Sequence, residues 1–69
     1  MKTYRIIKVY ADGTDGPVVG HAKEFSRGWR FISHNSAHGS SRKFHKTFDK
    51  VIPRWAGGLN GTRSELITN

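Results

Sequence analysis

The sequence predicts an α+β fold, in which a three-stranded antiparallel β-meander carries one short C-terminal helix packed on one face. Three short runs rich in Tyr, Val, Ile, Phe and Trp are separated by glycine-containing turns, as in a meander. A single helical periodicity follows them. The chain has 69 residues and no cysteine, so we expect one small domain that no disulfide stabilises.

Each predicted strand is bounded by a turn with recognisable chemistry. The first strand, Lys2–Tyr10, is followed by two Asp-Gly pairs and Pro17, which favour a tight turn. The second strand is Val18–Phe25. A turn ending at Gly28 leads into the third strand, Trp29–Ser33. Because such short connections join antiparallel neighbours, the three strands are predicted to pair in chain order.

The predicted helix has four apolar residues at positions i, i+3, i+4 and i+7: Phe48, Val51, Ile52 and Trp55. This spacing places them on one helical face, and we expect all four to be buried against the sheet. Thr47 is a suitable N-cap. Pro53 has no backbone N–H to donate, so the helix should end or kink near it.

These elements define a single domain over residues 1–58. Residues 59–69 are predicted to form a flexible tail, with a short edge strand as the alternative, because only Leu66 and Ile67 can anchor the end of the chain. The stretch His34–Lys46 has no periodicity and predicts a long loop. No apolar run has the length of a signal-peptide core or a membrane span. We therefore expect a cytoplasmic protein without membrane contact.

The charge balance predicts an anionic partner. Twelve Lys and Arg residues against five Asp and Glu residues give a net charge of +7, which favours nucleic acid first and an acidic protein surface second. Aromatic residues among the cations are typical of surfaces on which unpaired bases stack. A solvated cationic surface without a partner is the alternative. The residues expected to contact phosphates or an acidic partner are Arg30, Arg42, Lys43, Lys46, Lys50 and Arg54.

A possible phosphate loop precedes the basic run. Gly39, Ser40 and Ser41 are small residues that can expose backbone N–H groups beside cations. The Gly-x-x-x-x-Gly-Lys-Ser/Thr pattern of a P-loop is absent, so the segment predicts phosphate contact but is not a P-loop.

Metal binding and catalysis are not expected. The loop histidines His34, His38 and His45 have no acidic third ligand close by in the sequence. A nuclease would need a metal-binding carboxylate or a second general acid, and the nearby Asp49 is explained by its place in the first turn of the helix. We therefore predict no metal, no cofactor and no enzymatic activity.

Three short strings stand out: Gly28-Trp29-Arg30-Phe31, Ser41-Arg42-Lys43 and Pro53-Arg54-Trp55. They resemble strings in small uncharacterised phage and prophage proteins, and the resemblance covers residues 28–55. It implies a phage-encoded accessory protein that works in the host cytoplasm. The β-β-β-α order is also similar to the DNA-binding domains of some phage integrases, in which a three-stranded sheet meets the major groove. Two functions are thus expected. The first is nucleic-acid binding. The second is that of an inhibitor or adaptor, which binds an acidic surface of a host protein or of a defence or nucleic-acid-processing complex.

Overall fold

The computed structural model describes residues 1–34, 40 and 43–68. They form one antiparallel sheet with short helical segments packed on it, so the predicted α+β class is confirmed. The strands and the α-helix are β1 (Thr3–Val9), β2 (Asp15–Phe25), β3 (Gly28–Ser33), α1 (Phe48–Val51) and β4 (Thr62–Thr68). Two 3-10 helices, Arg54–Ala56 and Leu59–Gly61, connect α1 to β4.

The sheet has four strands in the order β3-β2-β1-β4, and the prediction of three strands is wrong by one. Residues 62–68, for which we expected a flexible tail or, as the alternative, a short edge strand, form that edge strand: they pair antiparallel with β1, and Ser64 lies opposite Ile6. Every residue of β4 is at least partly exposed. An edge strand held by backbone pairing needs no alternation of apolar residues, so its sequence resembles a tail.

The helix ends just before Pro53, as predicted, but the last of the four apolar residues is not in the core. Helix α1 ends at Val51, and Ile52 is already extended with ψ of 123° ahead of Pro53. The chain resumes as a 3-10 helix, which has about three residues per turn rather than 3.6. The i+7 position consequently turns outward: Trp55 is 37% exposed, whereas Ala56 is 2% exposed.

The core lies between α1 and one face of the sheet, here called the helix face. Phe31 and Ile6 are its largest fully buried side chains. Around it, Tyr4 packs against Trp29 and Phe48 with ring centroids 6.0 and 4.9 Å apart. The remaining members of the core cluster are Ala22, Val51 and Ile52. The predicted packing of the helix on the sheet is therefore present through its first three apolar positions.

Gly20 makes room for the central aromatic ring of the core. A Cβ atom at this position would lie 2.3 Å from the carbonyl oxygen of Ile32 and 2.5 Å from Cζ of Phe31. The pairing of β1 with β2 shifts register beside it, between Ile6 and Ile7, which is the signature of a β-bulge. The glycine and the bulge together let β2 pass under the Phe31 ring.

The opposite face of the sheet, here called the open face, carries charged side chains. Directly paired residues of antiparallel strands point to the same side, so the pairs Lys23–Arg30 and Arg5–His21 both lie there. Lys8 points instead to the helix face, where its ammonium donates to the carbonyl oxygen of Ala56 at 3.0 Å. None of the helices among the described residues is long and apolar enough to cross a membrane.

Candidate nucleic-acid interface

The segment that follows the loop binds the edge of β3. Trp29 and His45 exchange two backbone hydrogen bonds, of 2.7 and 2.8 Å. Gly28 has φ of 127°, and a Cβ atom there would lie 2.6 Å from the carbonyl oxygen of His45, so only glycine permits this approach. The contact holds residues 43–47 beside the start of β3 and positions their side chains.

Phe44 organises one group of these side chains, here called the Phe44 cluster: Phe25, Arg27, Arg30 and Phe44. The rings of Phe25 and Phe44 meet edge to face with centroids 5.7 Å apart. The guanidinium carbons of Arg27 and Arg30 lie 5.1 and 5.6 Å from the centroid of Phe44, within cation–π range. Arg30 was predicted as a site residue, whereas the other three were not. Their only sequence signal was the interleaving of aromatic and basic residues.

Lys50 and Arg54 line a depression of about 530 Å³ beside α1. Its lining includes Phe31 and Leu59, and His45 connects it to the segment that carries Phe44. The side chains of Lys43 and Lys46 are exposed on the same segment. Of the six predicted cations, Arg30 thus lies at the Phe44 cluster, Lys50 and Arg54 line the depression, and Lys43 and Lys46 are exposed on the segment between them in the chain. We call the Phe44 cluster together with Lys43, Lys46, Lys50 and Arg54 the basic surface.

The other predicted site residues fall in or near the loop. Gly39, Ser41 and Arg42 lie outside the described residues. Ser40 is described, and its hydroxyl oxygen accepts a hydrogen bond of 2.9 Å from the backbone N–H of Ser33. This bond connects the middle residue of the possible phosphate loop to the last residue of β3.

Three ion pairs among the described residues lie at the β4 edge of the sheet, which is the edge opposite to β3. Arg63 binds Asp15 at 2.6 Å and Glu65 at 3.2 Å, and Arg5 binds Glu65 at 2.8 Å. Hydrogen bonding to Arg63 lowers the pKa of Asp15, and hydrogen bonding to Arg5 and Arg63 lowers the pKa of Glu65. Two of the five carboxylates in the chain are therefore matched with two arginines here.

The lysines and Arg54 of the basic surface have no such compensation among the described residues. Within the described part of the chain, Lys43, Lys46, Lys50 and Arg54 form no ion pair with a carboxylate within 4.0 Å. The nearest acidic neighbour in sequence is Asp49, whose pKa is lowered mainly by a hydrogen bond with the Thr47 side chain and to a smaller extent by Lys50. Asp49 lines the same depression as Lys50 and Arg54, but it forms no ion pair with either of them.

Two histidines meet on the open face, and they predict a pH-dependent stability. Nε2 of His34 and Nδ1 of His21 lie 2.9 Å apart. The pKa of His21 is lowered, first by burial and then by the charges of His34, Arg5 and Lys23. The unfolded chain therefore takes up a proton at a higher pH than the folded chain does, so folding stability rises with pH across this interval.

We expect the free energy of unfolding to be greatest above about pH 6.5 and to fall as the pH drops towards 5.5. The carboxylates with lowered pKa values do not titrate in this window. Urea unfolding at pH 7.5, 6.5 and 5.5 measures the effect, and His21→Gln should flatten the profile. An equally steep profile in His21→Gln would assign the pH dependence to another group.

The described residues include no group of three or more His, Cys, Asp or Glu side chains placed to hold a metal ion.

Comparison of the chain with protein-family models, with curated proteins and with solved structures gave no match. The candidate interface is therefore defined by its own geometry: four cations (Lys43, Lys46, Lys50 and Arg54) that form no ion pair with a carboxylate among the described residues, two adjoining aromatic rings and a depression beside α1.

Proposed function

We propose that the protein is a non-catalytic nucleic-acid-binding module and that the basic surface contacts phosphate groups. One observation carries the proposal, namely the separation of charge across the sheet. The arginines at the β4 edge are paired with Asp15 and Glu65, whereas the exposed lysines at the β3 side have no carboxylate partner among the described residues. Phosphates would supply the missing negative charge.

The groups on this surface suit the backbone of a nucleic acid better than a single small anion. Lys43, Lys46, Lys50 and Arg54 are spaced along the chain and exposed, so each would meet a different phosphate. The Phe25 side chain is 38% exposed beside Phe44, and exposed rings offer a stacking surface to an unpaired base. We propose single-stranded nucleic acid as the preferred form for this reason.

An acidic protein surface is the second candidate, in the form of a phage-encoded inhibitor or adaptor that acts in the host cytoplasm. Trp55 is 37% exposed and adjoins Arg54. Tryptophan and arginine are among the residue types enriched at binding hot spots. This neighbourhood supports a compact protein contact centred on the depression beside α1.

Titration with a labelled 20-nucleotide single strand and with the matching duplex, at 50 and 200 mM salt, tests the proposal. We expect binding to both, tighter to the single strand, with a slope of log affinity against log salt of about −0.7 to −0.9 per phosphate contact. The nucleic acid should be recovered uncut. Absence of binding at 50 mM salt, together with capture of a host protein from nuclease-treated bacterial lysate, would favour the second candidate.

A further inference from the structure

We infer that β4 is a self-complementary edge at which two copies of this chain pair as antiparallel strands. The strand lies at the end of the sheet order, and no described residue pairs with its outer side. Edge strands present unpaired backbone donors and acceptors that template the addition of another strand. A two-fold symmetric pair would join the two sheets into one continuous sheet.

Arg63 and Glu65 of β4, which pair with Asp15 and Arg5 of their own chain, also favour a second copy as the occupant and set the register. Arg63 and Glu65 lie on the same face of the strand, two residues apart, with Ser64 between them. A two-fold axis at Ser64 places Arg63 of each copy opposite Glu65 of the other. An axis at Glu65 would place the two Glu65 carboxylates directly opposite each other, and an axis at Arg63 would do the same with the two guanidinium groups. Both arrangements are destabilising, because like charges then face each other.

The same register brings apolar side chains together on the helix face. Leu66 lies opposite Tyr4 of β1 and is 49% exposed. In the pair it would come beside Thr62 of the other copy, directly after the 3-10 helix that carries Leu59, which is 53% exposed. The contact would therefore shield apolar surface that one copy leaves in water.

The net charge of +7 does not oppose this pairing strongly. The basic surface adjoins β3, which is the far edge of the sheet from β4. With strands about 4.8 Å apart, the two β3 strands of the pair lie roughly 34 Å from each other. This distance is several times the Debye length of about 8 Å at physiological ionic strength.

Single cysteines test the register, because the chain has no native cysteine. In Ser64→Cys the two thiols face each other at the two-fold axis, at a Cα separation that a disulfide accepts. In the control Thr62→Cys, each thiol lies about 14 Å from its counterpart, because residue 62 faces residue 66 of the other copy. We expect mild oxidation to convert Ser64→Cys mostly to a covalent dimer and Thr62→Cys at a rate at least tenfold lower. A monomeric Ser64→Cys, or equal rates, would overturn the proposal.

Charge exchange tests the complementarity in solution. Sedimentation equilibrium should show a wild-type dimer that Arg63→Glu and Glu65→Arg each weaken at least tenfold. Mixing the two variants should restore the dimer, since both carboxylates of the first variant then face guanidinium groups of the second. The double variant R63E/E65R should pair with itself for the same reason.

Two outcomes would contradict the inference. One is a mixture that stays monomeric while both variants keep wild-type circular dichroism. The other is a wild-type chain that stays monomeric and pairs only with a strand of another protein. Neither the cysteine test nor the charge exchange involves nucleic acid, so the result is independent of the proposed function.

Discussion

Phe31→Ala is expected to lower the free energy of unfolding by about 3–5 kcal/mol, as truncation of a buried core aromatic does. The Phe31 side chain is 2% exposed, and its ring lies over Gly20, a position too crowded for even one additional carbon. The surrounding backbone therefore cannot collapse readily into the cavity. Since small domains have about 5–15 kcal/mol of stability in total, the variant should be largely unfolded at moderate temperature.

Urea unfolding followed by tryptophan fluorescence measures this loss. Trp55→Ala is the matched comparison. The Trp55 ring contacts Phe31, with ring centroids 6.0 Å apart, but Trp55 is 37% exposed to solvent. Removing the Trp55 ring should lower the free energy of unfolding by less than Phe31→Ala does. The lost aromatic pair accounts for about 0.5–1.5 kcal/mol of this decrease, and the lost burial of the indole accounts for the rest. Equal losses in the two variants would mean that Trp55 contributes to the core as much as Phe31 does. If Phe31→Ala does not fold, Phe31→Leu takes its place, with an expected loss nearer 1 kcal/mol.

The double variant Lys46→Gln with Lys50→Gln is expected to lower nucleic-acid affinity by two orders of magnitude or more. Each lysine is exposed on the basic surface, and a hydrogen bond to a charged group contributes about 1.5–3 kcal/mol. Removing two phosphate contacts should also reduce the salt slope by about 1.4–1.8. Folding stability should change by no more than about 0.5 kcal/mol, since both side chains are in water.

The matched control is Arg5→Gln with Arg63→Gln. It also removes two positive charges, but from the β4 side of the sheet. Both arginines are already paired with carboxylates, so their loss should leave binding and its salt slope close to the wild type. Binding is measured by fluorescence anisotropy at two salt concentrations. Equal weakening in the two double variants would show that only the net charge matters, and the basic surface would then have no special role.

Local chemistry in the sequence determined much of this protein. The turn residues around Gly13 and Gly28 and the β-branched and aromatic runs between them specify three strands that pair in chain order. The run of cations from Lys43 to Arg54 marks the exposed segment beside α1. These features were predictable because turns, strand propensity and exposed charge depend on neighbouring residues.

The chain around the helix was predicted only as far as Pro53. The spacing of Phe48, Val51, Ile52 and Trp55 correctly predicted an apolar face, and Pro53 correctly predicted an early end. The conformation beyond the proline was not predictable from periodicity, because the period itself changes from 3.6 to about three residues per turn. Ala56 consequently takes the buried place expected for Trp55.

Only the tertiary structure decided which charges are neutralised and which edge is open. Asp15 is far from Arg63 and Glu65 in the sequence, yet strand pairing at β4 brings the three side chains within ion-pair distance. The same fold places Phe44 against Phe25 and two arginines beside β3. The physical reason is that β-pairing joins residues by register rather than by proximity in sequence. The separation of charge across the sheet, on which the proposed function depends, therefore exists only in the folded chain.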